Sequence, residues 1–235
     1  MPTRLIPYVK ILIHLLCLTP FALLLLRFRH GDLGADPVQT ITHFTGDWAL
    51  YLLLISLAVT PLRRLQVKLS NLIRFRRMLG LYAFFYATLH LVTYIFLFSG
   101  YDLPTALTGL RAGHPGELII QFKLVWPVMW DDIRKRRFIQ IGFASWVILL
   151  ALTATSPQWM LRIMGGKSWQ RLHRLVYIAA AFAVMHFWWL VKTGVSTPWK
   201  VTATLAILLL LRLVYAAMKR RPKTTPTIKT SIQPA

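Results

Sequence analysis

Four histidines lie within apolar stretches of the sequence, where an unpartnered imidazole is energetically costly: His14, His90, His173 and His186. His90 ends the run MLGLYAFFYATLH, and His173 and His186 lie thirteen residues apart in WQRLHRLVYIAAAFAVMHFWWLVKT. These stretches are long enough to cross a bilayer as helices, at about 1.5 Å rise per residue. An imidazole in such a place needs a partner, and the partners that recur in proteins are metal ions, haem iron and polar groups of neighbouring helices.

The surroundings of His90 and His186 match each other. Alanines stand three and seven residues before each histidine, on the same helix face: Ala87, Ala83, Ala183 and Ala179. Such small-residue strips leave room for a flat porphyrin, and imidazole is an axial ligand of haem iron. We therefore predict that His90 and His186 are axial ligands of a haem. The alternative is that the alanines allow close helix packing and the histidines bond to a neighbouring helix.

The single cysteine limits the kind of haem and metal site. Cys17 lies inside an apolar run, and the sequence has no Cys-x-x-Cys-His motif. A disulfide framework, a thiolate zinc site and covalent haem attachment are therefore excluded. The predicted haem is non-covalent, of the b type.

Composition predicts the elements that position these histidines. The 235 residues are 56% hydrophobic, with a mean hydropathy of +0.55, and the apolar residues form long blocks typical of membrane helices. We predict an all-α polytopic membrane protein whose six transmembrane helices form a haem-binding bundle. The predicted spans are residues 9–27, 47–62, 78–98, 139–156, 170–191 and 199–217, with an N-terminal segment 1–8 and a disordered tail 218–235.

The net charge of +21 comes from Lys and Arg that cluster between the apolar runs. This is the positive-inside pattern of membrane proteins, and no separate basic face indicates nucleic-acid binding. The two termini and the 2–3 and 4–5 loops carry more Lys and Arg than the opposite loops. Both termini are therefore predicted to be cytoplasmic.

The remaining segments carry little predicted chemistry. The connection 99–138 is predicted to lie partly at the membrane surface, because its apolar part is interrupted by prolines and charges. His30, His43 and His114 are predicted to be solvent-exposed in outer loops, and His14 to bond within the bundle. The sequence has no phosphate-binding loop or dinucleotide fingerprint, and we identify no internal repeat in it.

His173 is predicted to differ from the outer pair. It lies near the cytoplasmic end of its span, and thirteen residues at about 100° each turn it roughly 140° away from His186. Three interpretations remain open: a ligand of a second, inner haem, a lining residue of a flavin or quinone site, or an interfacial histidine in contact with water. Nearby arginines could contact the anionic groups of a cofactor: Arg76, Arg77, Arg171 and Arg174.

Six spans, with one histidine in the third and two in the fifth, resemble the ferric reductase-like transmembrane family. That family usually has paired histidines on both helices, whereas Arg77 stands thirteen residues before His90 here. The stretches GDLGADPVQTITHFTGDWAL, RRMLGLYAFFYATLHLVTY and GKSWQRLHRLVYIAAAFAVMHFWWLVK resemble, more closely, a family of haem-binding membrane subunits of bacterial periplasmic methionine sulfoxide reductases. This second resemblance covers roughly residues 8 to 216.

The resemblance implies electron transfer in the bacterial inner membrane. Such a subunit takes electrons from the quinone pool or a cytoplasmic flavin reductase and passes them through haem b to a periplasmic molybdopterin enzyme. It implies haem binding by His90, His173 and His186, and it associates FMN with the subunit. Two other functions remain open: a self-contained ferric or oxygen reductase, and a cofactor-free membrane anchor or transporter.

Overall fold

A computed structural model describes residues 3–66, 71–190 and 197–220, and these form ten α-helices with no strand among them. The prediction of an all-α polytopic membrane protein is confirmed. The helices are α1 (Ile6–Arg29), α2 (Pro37–Leu65), α3 (Ile73–Thr93), α4 (Leu103–Arg111), α5 (Gly116–Lys135), α6 (Arg137–Ala154), α7 (Gln158–Met164), α8 (Gly166–His173), α9 (Val176–Leu190) and α10 (Thr197–Arg220).

Five of the described helices are long and apolar enough to cross a membrane: α1, α2, α3, α6 and α10. α3 continues through a π-helical turn at Tyr94–Phe98. The predicted fifth span is not one continuous helix. The chain turns at Arg174 and Leu175, between α8 and α9. α9 itself has 15 residues, and residues 191–196 lie outside the described part.

α2 begins ten residues before its predicted span. The Asp36 side chain accepts a hydrogen bond from the Gln39 backbone N–H at 2.9 Å, and Pro37 occupies the first turn. This combination starts a helix firmly, because it satisfies an end donor and presets the backbone. The prediction that His43 lies in a loop is therefore wrong: His43 is exposed, but it belongs to α2.

The long connection 99–138 is largely helical. Asp102 caps α4 by accepting from the Thr105 backbone N–H and hydroxyl, and these hydrogen bonds hold the pKa of its carboxyl below the usual range. A small apolar cluster then joins α4 to α5. α5 is not among the helices that could cross a membrane. The predicted disordered tail starts too early, because α10 continues to Arg220, and residues 221–235 lie outside the described part.

α2, α3, α6, α9 and α10 form the main core. α1 joins them mainly through Tyr86 of α3, which is fully buried. The Tyr86 hydroxyl donates to the Cys17 carbonyl at 2.7 Å and accepts from the Phe21 N–H at 3.0 Å. These two groups flank Pro20, where a proline ring disturbs the helix backbone. His14 also bonds within the bundle as predicted, to the Tyr82 hydroxyl at 2.6 Å.

Tyr86→Phe is expected to loosen the attachment of α1. The change removes one hydroxyl that satisfies both a carbonyl and an N–H, and a buried polar group left unpaired costs about 1–3 kcal/mol. Thermal unfolding in detergent should show the loss. Tyr51→Phe is the matched control, because Tyr51 is 39% exposed. Equal unfolding temperatures for the two variants would contradict this role for Tyr86.

Candidate functional site

The structure brings His90 and His186 close together, although they lie on different helices. His90 lies on α3 and His186 on α9, and their ring centroids are 6.0 Å apart with an interplanar angle of 86°. Two imidazoles bound to opposite sides of one metal, each nitrogen about 2 Å from it, have centroids roughly 6 Å apart. The spacing and the donor type therefore fit a single iron with two axial imidazoles.

Hydrogen bonds determine which nitrogen each imidazole presents. His90 Nδ1 lies 2.9 Å from the Thr42 carbonyl, and His186 Nδ1 lies 2.8 Å from the Phe138 carbonyl. A carbonyl oxygen only accepts, so each Nδ1 carries the proton and donates. Nε2 of each ring is then the unprotonated atom that can bind a metal. Metal-binding histidines in proteins are generally held in this way.

Two glycines lie directly beside these rings, and sequence analysis did not identify them. A Cβ on Gly46 would meet His90 Nδ1 and Cε1 at 3.1 Å, and a Cβ on Gly142 would meet His186 Nδ1 at 2.6 Å. The second distance is shorter than real Cβ contacts. The signal that the sequence offered was their equal spacing, because Gly46 and Gly142 each stand 44 residues before a histidine, His90 and His186.

The alanines that precede His90 and His186 lie inside the bundle. Ala83 and Ala179 are fully buried, and Ala87 and Ala183 pack against the same core. Trp146 joins α6 to α3, because its indole N–H donates to Thr88 at 3.1 Å and its ring packs on Phe84. Small side chains thus line the inner faces next to the histidines, while aromatic rings surround them.

His173 lies apart from the outer pair and is held differently. Its ring stacks on Trp169 with centroids 3.8 Å apart, and its Nε2 lies 3.3 Å from the Thr155 hydroxyl. That hydroxyl is 2.7 Å from the Ala151 carbonyl and donates to it. It can therefore only accept from His173, so Nε2 is protonated. In this arrangement His173 does not present Nε2 to a metal.

The predicted arginines divide into two sets. Arg76 is partly buried and lies within electrostatic range of both His173 and Arg63. Arg77, Arg171 and Arg174 are exposed. Within residues 3–66, 71–190 and 197–220, no group of three or more His, Cys, Asp and Glu side chains is close enough to hold a metal ion. The outer histidine pair is the candidate iron site because of its ring spacing and its two Nδ1–carbonyl hydrogen bonds.

A helical membrane bundle with two opposed imidazoles is the architecture of a transmembrane haem protein. The family model for the ferric reductase like transmembrane component matches residues 45–184. The chain belongs to this family, and within it to the MsrQ proteins.

Two relatives illustrate the match, and both are named protein-methionine-sulfoxide reductase heme-binding subunit MsrQ. The one from Xanthomonas axonopodis pv. citri is 44% identical over 207 residues, which cover 85% of this chain and 83% of the relative. The one from Herminiimonas arsenicoxydans is 40% identical over 214 residues, which cover 90% and 87%. No solved structure matches the chain at a significant level.

Proposed function

We propose that the protein is the haem-binding membrane subunit of a methionine sulfoxide reductase system, with one haem b held between His90 and His186. The observation that supports this most directly is the opposed imidazole pair, with both Nδ1 atoms bonded to backbone carbonyls. The names of the relatives support the haem and the system independently. A haem iron at this position supplies one-electron chemistry.

The side chains of the bundle position the haem and form its surroundings. His90 and His186 would hold the iron through Nε2, while the carbonyls of Thr42 and Phe138 keep their rings in place. Ala83, Ala87, Ala179 and Ala183 provide space beside the rings. The bundle around the histidines and the two imidazoles would set the potential of the haem, because burial and ligation are main controls on it.

The direction of electron flow is part of the same proposal. Electrons come from the quinone pool or a cytoplasmic flavin reductase, and they leave to the periplasmic molybdopterin subunit, MsrP. The chain lies in the bacterial inner membrane with both termini in the cytoplasm, as its Lys and Arg distribution indicates. The inner residues are then at the cytoplasmic end. There His173 lines the site of a flavin, FMN, and Arg76, Arg77, Arg171 and Arg174 contact its anionic groups.

The spectrum of the purified protein tests the haem. The full chain, expressed with ample haem and purified in detergent, should show a Soret band and, after reduction, a b-type α-band. A pyridine extract should release unmodified haem. A colourless protein that keeps its helical circular dichroism would contradict the proposal and favour a cofactor-free anchor.

Electron delivery has its own test. Reduced protein in membrane vesicles should be reoxidised when both MsrP and methionine sulfoxide are added. MsrP alone or methionine sulfoxide alone should not reoxidise it. Rereduction by a quinol or by a flavin reductase with reduced nicotinamide identifies the donor. Oxidation of NADPH by the isolated chain would indicate a self-contained reductase instead.

A further inference from the structure

The two halves of the site are copies of one helix-pair arrangement. In each copy a histidine bonds to the carbonyl 48 residues before it on the preceding long helix, and a glycine follows that carbonyl by four residues. Residues at the same relative positions are ninety-six apart throughout: Thr42 and Phe138, Gly46 and Gly142, Pro61 and Pro157, Arg77 and His173, Ala83 and Ala179, Ala87 and Ala183, and His90 and His186. Five of these seven pairs are identical residues, which indicates an internal repeat of ninety-six residues, so the prediction of no internal repeat is wrong.

The same local geometry therefore occurs twice in the bundle. α2 with α3, and α6 with α9, each bring a histidine against an exposed backbone carbonyl on the neighbouring helix. In an α-helix the Cβ of residue i+4 tilts toward the N-terminus and over the turn that contains the carbonyl of residue i. A glycine at that position leaves the second lone pair of the carbonyl open to an outside donor.

We infer that Gly46 and Gly142 are positioning residues for the haem, each opening one backbone carbonyl to the Nδ1–H of a ligand histidine. This inference rests on the proposed function. A Cβ at either glycine would lie too close to an imidazole, at 3.1 Å from His90 for Gly46 and at 2.6 Å from His186 for Gly142. They act through His90 and His186 and not on the iron directly.

The carbonyl bonds have two consequences for a bound haem. A donated Nδ1–H increases the basicity of the imidazole, which stabilises ferric iron and lowers the midpoint potential. The bonds also fix the two ring planes at 86° to each other. Ferric haem with perpendicular axial imidazoles gives a highly anisotropic low-spin electron paramagnetic resonance signal, whereas parallel planes give a rhombic one. The wild-type protein should therefore give the anisotropic signal.

The chain offers a matched control. Gly80 also lies within a helix, α3, but a Cβ there would meet only the Ser56 hydroxyl, at 4.0 Å. Gly80→Ala changes the backbone freedom of a membrane helix in the same way and leaves the histidines untouched. The contact distances predict a graded series in which Gly142→Ala has the largest effect, Gly46→Ala a smaller one and Gly80→Ala none.

The experiment measures haem per protein, midpoint potential and the resonance signal for the full-length wild type and the three variants. Gly142→Ala should lose most of the haem. Gly46→Ala should retain haem with a raised potential and a signal shifted away from the anisotropic form. Gly80→Ala should match the wild type. If the Gly142→Ala protein does not accumulate, the midpoint potential and the resonance signal of Gly46→Ala test the inference.

The outcomes separate the two proposals. A wild type without haem would contradict the proposed function. A wild type with haem whose Gly46→Ala and Gly142→Ala variants match Gly80→Ala in content, potential and signal would overturn the inference about the glycines alone. A purely structural role would lower the unfolding temperature without shifting the potential of the haem that remains, and that result would also overturn it.

Discussion

His90→Ala and His186→Ala are each expected to remove nearly all bound haem from the purified protein. Each change deletes one of the two proposed haem ligands and leaves the other imidazole alone in an apolar site. Loss of a supporting hydrogen bond typically lowers metal affinity 10–100-fold, so loss of a ligand should lower it by at least about 100-fold. Haem-to-protein stoichiometry by pyridine extraction measures the result.

Two further variants make this prediction specific. His173→Ala should keep the haem of the outer pair, because His173 stacks on Trp169 and bonds to Thr155. His43→Ala is the control for loss of a histidine as such, since His43 is exposed. Retention of full haem content by either His90→Ala or His186→Ala would show that the axial pair is assigned incorrectly. Loss of half the haem in His173→Ala would indicate a second, inner haem.

Arg212→Leu is expected to destabilise the packing of α10 on α2 and α9. Pro61 lies inside α2 and has no N–H, so the Leu57 carbonyl loses its partner within the helix. Arg212 of α10 supplies that partner by donating to the Leu57 carbonyl at 2.6 Å, and it also donates to the Tyr177 hydroxyl. One guanidinium thus connects α10 to α2 and α9.

The expected loss in Arg212→Leu is about 2 kcal/mol in the free energy of unfolding. Hydrogen bonds from charged donors contribute about 1.5–3 kcal/mol each. Part of that is offset, because the variant no longer buries a cation whose Nε lacks a partner among the described residues. Thermal or detergent-induced unfolding measures the loss.

A double-mutant cycle tests the mechanism behind this loss. Pro61→Ala restores a backbone N–H that can bond to the Leu57 carbonyl, so Arg212→Leu should cost about 1 kcal/mol less in that background. Haem content should be unchanged in both variants, because Arg212 does not contact His90 or His186. Additive effects of the two substitutions would contradict the proposed role of Arg212 at the carbonyl.

The sequence by itself determined the class of the protein and its candidate ligands. Long apolar runs leave helices as the structure that satisfies every backbone group in a membrane, so the all-α architecture followed from composition. The equal spacing of alanines before His90 and His186 indicated that each histidine shares a helix face with two alanines. It also indicated that the two histidines have the same role. Both conclusions depend on local periodicity, which a linear sequence displays directly.

Only the tertiary structure decided how the histidines are held and which of them meet. The Thr42 and Phe138 carbonyls are backbone atoms, and nothing in a residue type reveals that a carbonyl 48 residues away will receive an imidazole N–H. Helix packing also placed Gly46 and Gly142 against the rings. It set His173 apart, because the turn at Arg174 and Leu175 ends α8 before α9 begins. Local sequence patterns predict helix faces and membrane spans. The contacts that form the His90–His186 site depend on how the helices pack together.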